Sequence, residues 1–575
     1  MTWNQIIDPF ASHFLSLVVA LLPIIFIFWA LIILKMKGHE SGILALIIAL
    51  AIAIGIYRMP PSLAVLSVAH GALYGLFPIC WIFFSAILLF NITVASGKFE
   101  TIKNCIASIS PDIRLQVILI AFCFGSFLEG TAGFGAPVAI SAAILCRLGM
   151  EPVHAAGLCL LANTAPVAFG SIGIPITVAS QVSGQTELLL ARMVGRTMPL
   201  LSLIIPAYLT ILYVGFRLAR EVLPAILVAG LSFAFFQFFV SNYLGPALPD
   251  IVAGIGSILA LWAFLRIWKP KKILSLVKLP EDVVPGKYSL AQILTAFAPF
   301  ITLTVIVITW GLAPVKNWLN SNGYREFPVP YLHNRILNID GKWIPQVFKL
   351  NFLSAAGTAI FIASAISIPV VGLSISDGMR ILYKTIRQLA IPILTVVTIL
   401  GFAYLMNNSG MTLTISKTLA DTGKWFPFFA PVLGWLGVFI TGSDTSSNAL
   451  FGKLQAVTAT GIGVNPVVTV SANISGGVVG KMVSPQSIAV AAAAGNLVGQ
   501  ESTLFRYTIK HSLFMLCFIC CLVIIQAYVV KSAVPQNDAK NNLNPGRMAT
   551  GSSSNKEFWI SHSIWQHPRS TLDSN

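Results

Sequence analysis

The sequence predicts an all-α polytopic membrane protein with about 12 to 14 transmembrane helices and two repeats that contain broken or re-entrant helices. Three observations predict it. Of 575 residues, 56% are hydrophobic and only 10% are charged, too few charges to cover a soluble protein of this length. Apolar runs of roughly 20 residues, the length that crosses a bilayer as a helix, follow one another along the chain. Two windows, residues 115–185 and 425–500, are apolar enough for a membrane yet rich in glycine, proline, serine, threonine and asparagine.

The first run, His13 to Leu34, is preceded by Asp8 and by no lysine or arginine. It exceeds a signal-peptide core of about 7–15 residues, so it is expected to stay as a helix. Further spans are expected near 41–57, 62–95 (long enough for two), 115–128, 197–216, 222–241, 247–268, 290–312, 349–372, 388–406, 425–441 and 511–531. Together, residues 1–532 are expected to form one transmembrane domain. Residues 533–575 turn polar and are expected to be a largely disordered tail, either dispensable or a docking peptide using Trp559 and Trp565.

The net charge of +16 does not imply nucleic acid, because the basic residues are spread over short connections between apolar runs. They read as determinants of orientation. Arg266, Lys269, Lys271, Lys272 and Lys278 form one cluster, and Arg380, Lys384 and Arg387 another. Both are expected on the cytoplasmic side, with the 313–350 loop outside despite its Lys316, Arg325 and Arg335. Lys35 and Lys37 after the first run put the amino terminus outside as well. The Cys517–Cys520 spacing lies in a hydrophobic run, where apolar packing is the reading for a thiol, so no metal site is assigned.

The two windows resemble each other. "GSFLEGT" (Gly125 to Thr131) parallels "GVFITGS" (Gly437 to Ser443), and each window carries an Ala-Asn pair about twelve residues before a closing proline. Non-helical backbone at membrane depth exists only where protein surrounds it or it lines a wet cavity. Repeated interrupted segments therefore point to the binding site of a secondary transporter, where helix ends with free N–H groups favour an anion.

Few charges lie in these windows: Glu129, Arg147 and Glu151 in the first, Asp444, Lys453 and Lys481 in the second. A charge at the bilayer centre costs about 2.5–3.5 kcal/mol on insertion scales, so it is paired, wet or functional. Burial favours the neutral form of a carboxyl while donors and lysines favour its anion, and a carboxyl held between these pulls can exchange a proton. Glu129 and Asp444 are the candidate proton-coupling residues; a structural salt bridge to Lys453 or Lys481 is the competing reading. Lys481, between glycines and a proline, is the candidate for holding a carboxylate ligand, against a lysine snorkelling to the interface. Asn163, Thr164, Ser443, Asn473, Ser484 and Gln486 are short polar groups at expected chain breaks. They would bind substrate or serve as interhelical packing contacts. Lys453 and His70 are weaker candidates. His70 is either a proton relay, as imidazole titrates near about pH 6.5, or a histidine satisfied within the bundle.

Three segments, "EGTAGFGAPVAI" (Glu129 to Ile140), "TGSDTSSNALFGKLQ" (Thr441 to Gln455) and "SGGVVGKMVSPQSIAVA" (Ser475 to Ala491), resemble those of the bacterial L-lactate permease family. The resemblance covers roughly residues 1 to 532. It implies a symporter of the cell inner membrane that moves L-lactate, and also D-lactate and glycolate, with a proton and without a cofactor. The family is similar to a broader ion-transporter group of two inverted repeats with re-entrant hairpins, which implies a homodimer in the lipid bilayer.

Alternatives from the residues are a sodium-coupled carrier, using hydroxyls of Ser443, Thr445 and Ser446, and a channel. A membrane-embedded enzyme would need a nucleophile and base or a metal set. No such spacing and no phosphate-binding loop occurs, so no enzymatic activity is expected.

Overall fold

The computed structural model describes residues 2–34, 36–133, 135–275, 288–339, 341–497 and 500–536. Lys35, Lys278 and residues 537–575, with Trp559 and Trp565, lie outside the described residues. Twelve described helices are long and apolar enough to cross a membrane, or thirteen if one bent pair counts as a single span.

A short strand β1 (Trp3–Asn4) precedes α1 (His13–Ile32) and α2 (Gly38–Gly55), which pack side by side. The 62–95 run is one broken span and not two. In it, α3 (Pro61–Tyr74) passes through a break at Phe77, whose φ of −140° and ψ of 127° are extended, into α4 (Trp81–Ala95). No polar turn interrupts this run, so nothing brings its middle to water. A half-buried amphipathic helix, α5 (Lys98–Ala107), follows.

The first window opens with α6 (Ile113–Gln116), which continues through a wider-wound stretch, Val117–Phe124, into α7 (Gly125–Thr131). The chain then reverses into α8 (Ala136–Arg147). Next come α9 (Pro152–Ala162) and α10 (Gly170–Ser183), the pair bent by 61°. Every side chain from Ile113 to Thr131 is buried. Long spans α11 (Glu187–Arg220), α12 (Leu223–Tyr243), α13 (Pro249–Ile267) and α14 (Leu290–Gly311) enclose this window.

Outside the bundle lie α15 (Ala313–Gly323) and the strands β2 (Tyr324–Pro328), β3 (Ile336–Leu337) and β4 (Val347–Asn351). β2 pairs antiparallel with β4, and β3 pairs parallel with β1, so the amino terminus and the 313–351 segment share one end of the molecule. The expected 349–372 span is shortened to α16 (Ala356–Val370), too short to count among the twelve, because Val347–Asn351 pairs as strand β4; α17 (Ile375–Ser409) follows. α17 begins well before the apolar run at 388–406, because its first turns carry Arg380, Lys384 and Arg387.

The second window is introduced by α18 (Met411–Ala420) and built from α19 (Phe426–Thr441), α20 (Asp444–Gly461), α21 (Pro466–Lys481) and α22 (Pro485–Ala494). The last span is α23 (Glu501–Ile524). Just beyond it the Ala533 carbonyl accepts a 2.8 Å hydrogen bond from Arg196, tying this stretch to α11.

At the end opposite β1, the buried Arg114 guanidinium bonds Asp112 at 2.7 Å, Glu221 at 2.9 Å and the carbonyls of Leu218 and Lys272. That cluster joins the start of α6 to the ends of α11 and α13. Large apolar side chains stand exposed along helix after helix, among them Phe14, Ile47, Phe235, Val305 and Phe514. Such an exterior suits hydrocarbon and not water. The eight cysteines are free thiols.

Candidate functional site

Each window contains two breaks, and the local sequence accounts for them. In the second, α19 ends because Gly442 adopts the left-handed conformation (φ 69°), which costs glycine nothing. Ser443 then caps α20, its hydroxyl accepting the Ser446 N–H at 3.3 Å. Likewise α21 stops at Lys481, and α22 starts with Ser484 as cap and Pro485 in the first turn. In the first window α7 ends before Gly133 and Gly135, both left-handed. Between α9 and α10 the chain unwinds, and Ser171, Ile172 and Gly173 all have positive φ (47°, 60° and 76°). A β-branched residue in this region is an outlier that the surroundings must enforce.

These breaks converge on one ion pair. Lys481 Nζ donates to Glu129 Oε1 at 2.6 Å, with side-chain exposures of 10% and 3%. One partner comes from α7 and the other from the end of α21, so the pair joins the two windows. Glu129 packs against the α9–α10 break: a Cβ at Gly170 would lie 2.7 Å from Oε1. The second oxygen, Oε2, has no hydrogen-bond partner among the described residues.

Asp444, 4% exposed, stands at the start of α20. Its carboxylate fills the space that a side chain at Gly477 would take. Gly477 is one turn before Lys481 on the same face of α21, roughly 6 Å along the axis. The Asn448 amide lies alongside, yet neither carboxylate oxygen has a partner in hydrogen-bonding geometry among the described residues. Asp444 interacts electrostatically with both Lys481 and Glu129.

A third acid belongs to the same cluster and was missed by sequence reasoning. Asp250, 1% exposed, is in the first turn of α13 and interacts electrostatically with Glu129 and Lys481. In sequence it looks like an ordinary acid at a helix N-terminus, following Leu-Pro. The signal that separates it is Gly130, whose bare backbone lets α13 approach α7 closely: a Cβ there would be 2.8 Å from Asp250 Cβ.

The remaining candidates divide. Asn163 lies at the α9–α10 break, buried, with Oδ1 unpartnered among the described residues. Thr164 turns its hydroxyl back onto the Leu161 carbonyl at 2.7 Å. Ser484 is a helix cap that also donates to the Lys481 carbonyl at 3.0 Å. Gln486 is exposed and covers Gly442. Asn473 is embedded in an amide chain: Gln455 donates to its Oδ1 at 3.1 Å, and it donates to Asn448 Oδ1 at 2.9 Å. Asn448 in turn donates to the Pro175 carbonyl of α10 at 3.2 Å.

Two candidates are not brought to the cluster. Lys453 lies nine residues beyond Asp444 on α20, about 14 Å along the helix. His70 is part of a separate network under the 313–351 segment. Its Nδ1 pairs with Gln346 at 2.9 Å, Gln346 donates to Asn408, and Asn408 donates to Ser67. Among the described residues no three His, Cys, Asp or Glu side chains are grouped to hold a metal ion.

Comparison with known proteins agrees with this architecture. The model of the L-lactate permease family matches residues 16–530. An L-lactate permease of Bacillus subtilis is 49% identical over 563 residues, covering 93% of this chain and 100% of that protein. Glycolate permease GlcA of Escherichia coli is 48% identical over 552 residues, covering 92% and 99%. An L-lactate permease of Escherichia coli is 45% identical over 548 residues, covering 93% and 100%. The chain is a multi-pass membrane protein and belongs to the L-lactate permease family.

Proposed function

We propose that this protein is a carrier, not an enzyme, that imports L-lactate, D-lactate and glycolate across the bacterial inner membrane, each with one proton. The relatives named as L-lactate and glycolate permeases support the substrate class, a small 2-hydroxymonocarboxylate. The observation that carries the coupling is the buried Glu129–Lys481 pair across the two windows.

In the empty site the Lys481 ammonium is already neutralised, so an incoming carboxylate must displace Glu129. A proton on Glu129 removes its charge and frees Lys481 for the substrate. The loaded site then holds one more proton and one more anion, with no change in net charge. That keeps the electrostatic cost of crossing the bilayer low. Asn163, with an unpartnered buried oxygen, is suited to accept the substrate's 2-hydroxyl. Thr164, Ser443, Asn473 and Ser484 have local partners and act mainly on backbone geometry. The same reading includes a homodimer, to be checked by light scattering of the purified protein.

The test is radiolabelled L-lactate uptake into vesicles reconstituted with this protein, with proton and sodium gradients varied separately and unlabelled acids as competitors. Glu129→Gln removes the carboxylate hydrogen-bonded to Lys481 and is expected to abolish pH-driven accumulation while lactate exchange persists. Vesicles of that variant that still concentrate lactate under a pH gradient would overturn the assignment. Accumulation on a sodium gradient alone would replace the proton with sodium.

A further inference from the structure

Glu129, Asp250 and Asp444 are three buried carboxyls sharing one ammonium, Lys481. Glu129 balances that charge in the empty site. Lys481 can balance one carboxylate, and the two aspartates beside it have no hydrogen-bonded cation of their own among the described residues. Asp250 differs from Asp444 in position. It comes from a span outside both windows, and immediately before it Tyr243 and Leu244 of the α12–α13 turn are exposed, with Pro246 and Ala247 half-buried.

The groups facing Asp250 are few. α7 presents Glu129, α21 presents Lys481, and α12 presents the amide of Gln237. The wide-wound stretch before α7 contributes Cys123, beside Ser257 about two turns further along α13. Next to Glu129 on α7, the bare backbone of Gly130 lies against the Asp250 Cβ. Both Asp250 oxygens lack a hydrogen-bond partner among the described residues, as does Glu129 Oε2. Oε1 is occupied by Lys481, so Oε2 is the atom on which an arriving proton can settle without first breaking the ion pair.

We propose that Asp250 relays the coupling proton from the α12–α13 turn to Glu129. The O–H bond of the Asp250 carboxyl breaks as its proton passes to a bridging water, and that water gives a proton to Glu129 Oε2, where a new O–H bond forms. Asp250, now a carboxylate, regains a proton from water at the turn. Glu129, now neutral, releases Lys481 to the substrate carboxylate. The α12–α13 turn lies at the β1 end of the molecule, since α13 runs from it to the Arg114 cluster, so the path accepts protons from the side on which the amino terminus sits.

This inference deepens the proton-coupled reading and rests on it. The test compares reconstituted wild type, Asp250→Asn, Asp250→Glu and Glu129→Gln in pH-driven L-lactate uptake and in lactate exchange at equal pH. Asp250→Asn keeps the shape but carries no acidic proton to give up. It is expected to lower driven uptake by about tenfold or more, to flatten its pH profile, and to lower exchange far less. Asp250→Glu is expected to restore driven uptake and the pH profile. Wild-type driven uptake in Asp250→Asn would overturn the relay. So would an equal loss of uptake and exchange that Asp250→Glu fails to rescue, because that marks a purely structural residue. Loss in Asp250→Asn with full accumulation in Glu129→Gln would overturn the transfer to Glu129, and no pH-driven uptake by wild type would overturn the proton-coupled reading itself.

Discussion

Lys481 shows how one residue serves both structure and transport. Removing one partner of a buried ion pair leaves the other charge without compensation, a loss of about 3–5 kcal/mol, whereas replacing both by neutral groups is often close to neutral. Lys481→Met is therefore expected to lower the thermal stability of the purified protein markedly, and Lys481→Met combined with Glu129→Gln to recover most of it. Neither is expected to transport lactate, since the site for the carboxylate is gone. Thermal unfolding in detergent, read beside vesicle uptake, checks both. Recovery of uptake in the double variant would mean the pair is only a brace. Glu129, Asp444 and Lys481 were legible as lone charges in apolar windows, which is costly unless they meet something. Asp250 was not, because its importance depends on what packs against Gly130 across the bundle. Thr164, Ser443 and Ser484 were legible only as polar groups at breaks, since a hydroxyl that caps a helix and one that binds a ligand look alike in sequence.

Between elements, the two windows are stitched by amides as well as by charge. Gln455, Asn473 and Asn448 pass hydrogen bonds across α20 and α21 and on to the Pro175 carbonyl of α10. Truncating Asn448 would leave the buried Asn473 amide without its acceptor and remove the bond to the Pro175 carbonyl of α10. Each unsatisfied group costs about 1–3 kcal/mol. Asn448→Ala is thus expected to lower the unfolding temperature and to loosen α10 against α20, seen as faster hydrogen exchange over residues 174–183. An unchanged exchange rate there would show that the contact carries no load. The broken spans themselves were readable from glycine, proline and hydroxyl content. The weak internal match was a less exact guide. Counted back from the closing prolines, Asn163 and Asn473 correspond, yet Asn163 is the residue that closes α9 whereas Asn473 is in the middle of α21. The first window unwinds earlier because its chain crosses from α9 to α10 through a proline and three left-handed residues. The second changes direction only at Met482–Ser484.

Over the whole molecule the basic residues of short loops gather at one end, and this gives an expected orientation in the bilayer. One end carries β1, β3, the β2–β4 hairpin and the carboxyl end of α17, whose Asn407 and Asn408 carbonyls accept bonds from Gln5. α17 is 35 residues long, and its basic residues Arg380, Lys384 and Arg387 lie about 30–40 Å away towards the other end. There the Arg114 cluster gathers the ends of α11 and α13, bringing Arg217, Arg220, Arg266, Lys269, Lys271 and Lys272 together. Lysine and arginine in short loops mark the cytoplasmic side, so the hairpin end is expected to face outward. The paired strands explain why the loop keeps its own basic residues: they belong to a folded cap and not to a short connection. Ser321 and Lys271 are exposed at opposite ends. A membrane-impermeant maleimide applied to intact cells is expected to label Ser321→Cys above the background of the native thiols. Lys271→Cys is expected to react only after the cells are permeabilised. Labelling in the reverse order would invert the molecule, and with it the direction from which the Asp250 relay takes its proton.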